Sequence, residues 1–153
     1  MALFPFFRRN NFFSEEEKQR IIDSIRVAEQ QTSGEIRVFL ESRCRFVDPL
    51  DRAAEIFWGL KMDQTEDKNA VLVYVALRDH QYAIFADHGI YEKVGEVFWK
   101  DEVKAMYRHF RENHIAEAIS LVIKDVGHAL HYHFPYENDT DKNELPDDII
   151  FGK

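Results

Sequence analysis

Asp87, His88 and Gly89 stand in a row where an apolar, strand-like run ends and a helical pattern begins. A strand that delivers a carboxylate, an imidazole and a glycine in succession has the shape of a binding-site edge. Two other acidic segments are expected at the same end of the fold: Glu35, directly after Gly34, and the loop Asp63-Gln64-Thr65-Glu66-Asp67. Carboxylate oxygens at this density suit a hard divalent cation, calcium or magnesium. The expected ligands are Asp87, Asp63, Asp67 and Glu35. The competing reading is a solvated acidic loop, with Asp87 doing no more than capping the helix that follows. The loop does not follow the calcium-loop consensus, because its central glycine and terminal glutamate are absent.

A second metal chemistry is carried by His128, His131 and His133. His128 and His131 share a helix face, and three imidazoles suffice to hold zinc. Histidine also collects at helix C-termini through the dipole alone, which is the stronger expectation for these three. Ser33, Ser42 and Ser120 lack a glycine-flanked nucleophile elbow. Cys44 lies between Arg43 and Arg45, a setting that favours the thiolate where the guanidinium groups come close. No partner base for it is identifiable. Neither a phosphate-binding glycine loop nor a dinucleotide fingerprint occurs.

The elements that must position these groups are legible. Ser14-Glu15-Glu16-Glu17 is a capping box, and Ile21, Ile22, Ile25 and Ala28 follow at helical spacing. After Thr32-Ser33-Gly34, residues 35–42 alternate as a strand with Ile36, Val38 and Leu40 on its buried face. Asp48-Pro49 opens a second helix as N-cap and first turn, with Ala53, Ala54, Phe57, Trp58 and Leu60 as its apolar side. Residues 70–76 are apolar throughout, which predicts a central strand covered on both faces. Val71, Val73 and Val75 should face one layer, Leu72 and Tyr74 the other. Arg78-Asp79-His80 turns the chain into a third, antiparallel strand ending at Asp87. Helical patterns then run from about Val94 to Phe110 and from Ile115 to about Phe134. This order implies an α/β fold: a three-layer α/β/α sandwich around a small mixed sheet, Rossmann-like, with one right-handed β-α-β crossover and one hairpin.

Around this domain, residues 14–134, lie an aromatic leader, 1–13, and an acidic tail, 135–153, that carries half of the chain's net charge of −8 and is expected to be mostly flexible. Ile149, Ile150 and Phe151 are the tail's only docking material. The leader's apolar run is interrupted by Pro5 and precedes its arginines, the reverse of a signal peptide. A membrane span needs about 18 apolar residues, and no window provides them. With 28 acidic against 20 basic side chains the chain is a poor nucleic-acid ligand. One cysteine excludes an internal disulfide and fits a cytoplasmic setting. A protein partner could use the aromatic leader or the acidic tail.

Ser33-Gly34-Glu35-Ile36-Arg37-Val38, Ala53 with Phe57, Asn69-Ala70-Val71-Leu72-Val73-Tyr74-Val75, Tyr82 to Ile90, and Ala116 with Ala118-Ile119 together resemble the TPM domain family. That family was first described in a thylakoid lumen protein, a photosystem repair factor and a nematode protein. The resemblance covers about Ser14 to Phe134 and implies an α/β/α sandwich. It also implies divalent-metal binding, calcium in particular, and for plant members an acid phosphatase activity. The chain resembles a short, soluble branch without signal peptide or membrane helix. The family's glycine-rich sequence after the third strand has Asp87 here in place of its first glycine, while Gly89 keeps the last. A cation-binding domain of this type is thus expected. The alternatives are a metal-assisted phosphomonoesterase and a protein-interaction or adaptor module.

Overall fold

In the computed structural model the described residues are 12–45, 47–111, 113–136 and 149–152. They form a four-stranded mixed sheet in the order β3-β2-β1-β4, covered by helices on both faces. Helix α1 is Glu15–Glu29, β1 is Glu35–Glu41, α2 is Pro49–Gly59, β2 is Ala70–Ala76 and β3 is Gln81–Ala86. Helices α3 (His88–Val94), α4 (Glu96–Arg111) and α5 (Ile115–His133) follow, and β4 is Ile149–Phe151. The three-layer α/β/α sandwich is the fold expected from the sequence.

The caps form as the sequence dictates. The Ser14 hydroxyl accepts the Glu17 N–H at 3.0 Å, and the Glu17 carboxylate accepts the Ser14 N–H at 2.9 Å. Asp48 accepts the Leu50 N–H at 2.9 Å, with Pro49 in the first turn of α2. Strands β1 and β2 are parallel, joined through α2, and β2 and β3 form the antiparallel hairpin. Strand parity sorts the core into two halves. Ile36, Val38, Leu40, Val71, Val73, Val75 and Ile84 face α1, α4 and α5. Phe39, Leu72, Tyr74 and Ala83 face α2. The valine and leucine–tyrosine faces of β2 are therefore as expected.

Four features depart from the expectation. Strand β1 is buried along its whole length, including Glu35, Arg37 and Glu41. An ion pair from α2 permits part of this: Arg52 grips Glu41 in bidentate fashion at 2.9 and 3.0 Å, and Tyr74 donates its hydroxyl to the same carboxylate. Helix α2 buries Ala53, Ile56 and Phe57, whereas Trp58 is 53% exposed. The helix expected from about Val94 to Phe110 is α4, and a separate short helix, α3, precedes it, divided from it by Gly95 at φ +96°. Finally, the end of the tail docks as β4, parallel to β1, pairing Val38 with Ile149 and Leu40 with Phe151. Of the leader, residues 1–11 lie outside the described residues; Phe13 belongs to the core.

Candidate functional site

The sheet register brings the acidic positions to one end. Glu35 pairs with Ala70 across β1 and β2, and the Asp87 N–H donates to the Ala70 carbonyl at 2.9 Å. Glu35 and Asp87 thus flank small Ala70 in one row across three strands. The loop between α2 and β2 closes over that row. It is pinned by Met62, fully buried, and by the Lys68 ammonium donating to the Asp63 carbonyl at 2.7 Å. Gly89 lies so close to this loop that a Cβ there would stand 2.2 Å from the Asp67 carbonyl oxygen and 2.3 Å from that of Lys68. Only glycine admits this approach.

Asp87 is the centre of the arrangement. It is 3% exposed and N-caps α3, its Oδ1 accepting the His88 N–H at 2.8 Å. The His88 Nδ1 lies 3.2 Å from the same oxygen, with the imidazole mostly in solvent. The other carboxylate oxygen, Oδ2, is buried without a hydrogen-bond partner. Two more oxygens of the same end share that condition: Asn69 Oδ1, on a residue whose amide donates to Ser33 Oγ at 3.3 Å, and Thr65 Oγ1. Buried oxygens without partners are costly unless a water or an ion completes them.

The structure thus gathers Asp87, Glu35 and the backbone of the Asp63–Asp67 loop, but not the four carboxylates around one point. The Asp67 carboxylate is on an exposed residue, Asp63 is half-buried, and among the described residues no three His, Cys, Asp or Glu side chains converge in a metal-holding group. Asn69 and Thr65 were missed by a search for acidic residues. Their signal was a polar residue immediately before the apolar β2 run and a hydroxyl inside a charged loop.

The histidines stand apart from this end. His131 Nδ1 is 2.8 Å from the Gln31 carbonyl oxygen, tying α5 to the end of α1, and His133 sits edge-on to Tyr132. At the opposite, carboxyl end of β1 and β2, a polar cavity of about 530 Å³ is walled by arginines and glutamates. Two of its arginines are paired: Arg52 with Glu41 and Glu55, and Arg43 with Asp79 at 3.3 Å. Asp79 also accepts the Cys44 N–H at 2.8 Å. No described helix is long and apolar enough to cross a membrane.

The TPM domain profile matches residues 7–129. The chain is similar to the BA42 protein of the psychrophilic bacterium Bizionia argentinensis, solved by NMR. Identity is 40% over 92% of this chain and 96% of that one, with a TM-score of 0.83. The N-terminal domain of the cg2496 protein from Corynebacterium glutamicum shares the fold, at a TM-score of 0.57 and 15% identity over 90% of this chain and 80% of that one. No curated protein matches the chain. The span of the profile and the close likeness to BA42 agree with the fold built above, and the chain belongs to the TPM domain family.

Proposed function

We propose that this TPM domain binds a divalent cation, calcium in preference to magnesium, at the end of the sheet centred on Asp87. The observation that carries the reading is the Asp87 Oδ2, buried without a hydrogen-bond partner at the end of the sheet where Asn69 Oδ1 and Thr65 Oγ1 are equally unpartnered. A carboxylate left in that state costs several kcal/mol, whereas a cation turns the same atom into a ligand. Glu35 is the second buried carboxylate of the row, and the Asp63–Asp67 loop supplies carbonyl and carboxylate oxygens at its rim. Calcium accepts such mixed oxygen sets with irregular geometry, while magnesium demands a near-ideal octahedron. These residues fit a cation as a structural ligand set of few charges.

The phosphatase reading has less support. A phosphate needs positive charge or backbone donors, and the Lys68 ammonium beside this end is already committed to the Asp63 carbonyl. Isothermal calorimetry of the wild type and Asp87→Asn with calcium tests the site. Binding by the wild type that weakens about tenfold or more in Asp87→Asn is the expected result, since one ligand charge is removed. An equal dissociation constant in the two proteins would take Asp87 out of the site.

A further inference from the structure

At the carboxyl end of β1 and β2 the parallel ladder runs on past both strands. The Leu77 N–H donates to the Glu41 carbonyl and the Arg78 N–H to the Ser42 carbonyl, each at 2.8 Å. Arg78 is thereby seated beside the segment that leaves β1, and α2 brings Arg52 and Glu55 back to the same place. The cavity of about 530 Å³ that results is lined by four arginines, Arg43, Arg45, Arg52 and Arg78, and by no lysine. Arginine is the side chain whose planar fork of donors fits an oxyanion. The carboxyl ends of parallel strands are also where open α/β sheets hold their ligands.

The charges of this cavity do not cancel evenly. Glu41 is saturated at its base: with its side chain 6% exposed, it accepts Arg52 on both oxygens and the Tyr74 hydroxyl as well. Arg43 is held by Asp79. Glu55 meets Arg52 from the rim, its side chain 70% exposed, where water and salt screen it. Arg45 and Arg78, both exposed, have no carboxylate within ion-pair distance among the described residues. Ser42, half-buried, lines the same cavity.

We propose that this cavity binds a small oxyanion of charge −2, a dicarboxylate or a phosphoryl group, held by Arg45 and Arg78. Two guanidinium groups without countercharges set the charge of the ligand. The volume sets its size, that of a small molecule. A long polyanion is disfavoured by its surroundings, because Asp48 and Asp51, both exposed at the start of α2, add negative charge at this end of a chain of net charge −8. The site binds and does not convert: the one buried carboxylate of its lining, Glu41, has both oxygens committed, which leaves no base there to move a proton. It lies at the opposite end of the sheet from Asp87 and is independent of the cation.

Inorganic phosphate and succinate are the probes, titrated into the full chain at constant ionic strength with no divalent cation added and followed by amide NMR. Acetate and chloride are the monovalent controls. Expected is saturation by at least one dianion with a dissociation constant below about 10 mM, at least about tenfold tighter than either control. The dianion preferred identifies the ligand as phosphoryl or dicarboxylate. Shifts should centre on Ser42, Arg43, Arg45 and Arg78 and leave Asp87 and Gly89 unmoved. Arg45→Gln and Arg78→Gln change exposed positions and should keep the wild-type amide spectrum elsewhere. Each should weaken the preferred dianion about fivefold or more, and the two together should abolish saturation. An equal response to dianions and monovalent controls, shifts centred on Asp87, or an unchanged dissociation constant in the double variant would overturn the proposal.

Discussion

Two single residues carry sharp predictions, one at the site and one away from it. Gly89 meets loop backbone rather than a movable side chain, so neither neighbour can yield to an added methyl. Gly89→Ala should cost on the order of 3 kcal/mol, at the upper end for overpacking, and should weaken calcium binding by displacing the loop. Urea unfolding and calcium titration of that variant measure both effects. Glu102 is a different case, away from the site. Burial, then its hydrogen bond to Asp125 and the charges of Asp125 and Asp101, push its carboxyl from 4.5 up to about 8. Between those values the folded protein holds a proton that the unfolded chain has released. Stability contributed here therefore falls as pH rises through that window and levels off above it. Glu102→Gln should flatten the pH dependence of the melting temperature and raise it at pH 8 by roughly 3 °C, with little change near pH 4.5.

At the scale of elements, α2 does two jobs. Its apolar face covers Leu72 and Tyr74, and its Arg52 neutralises Glu41 inside the sheet. Arg52→Met keeps the aliphatic stem but leaves Glu41 buried without its countercharge. The expected loss is about 3 kcal/mol by chemical denaturation; a loss under about 0.5 kcal/mol would show that water already reaches the pair. This network also shows where the sequence stops being legible. The capping box at Ser14, Asp48-Pro49 and the apolar β2 run act through neighbours in the chain, so spacing reveals them. Burial of Glu41 depends on a residue eleven positions later and on Tyr74 from another strand. Strand β4 is three residues long and is held by pairing with β1 and by the Gly152 N–H on the Leu40 carbonyl at 2.6 Å. No periodicity can develop over three residues.

On the scale of the whole molecule, different groups of side chains occupy different ends of the sheet. The row Glu35–Ala70–Asp87 occupies the amino end of the parallel strands, and the arginine-lined cavity the carboxyl end. The sequence placed Gly34-Glu35, the acidic loop and Asp87-His88-Gly89 together because topology alone fixes which strand ends coincide. It did not foresee that Asp67 would contribute its backbone, or that Asn69 and Thr65 would be the unpartnered oxygens, since side-chain direction depends on loop conformations such as Lys68 at φ +53°.

The measurement that bears most directly on the Asp87 cation site is thermal unfolding of the wild type and Asp87→Asn, each with and without calcium. Asparagine caps a helix as well as aspartate and buries no charge, so without metal the variant should melt at or above the wild type. With calcium at a hundred times its dissociation constant the wild type should gain about 2.7 kcal/mol, and the variant, binding at least about tenfold more weakly, no more than about 1.4 kcal/mol. Equal gains in both proteins, or none in the wild type, would contradict a cation site at Asp87.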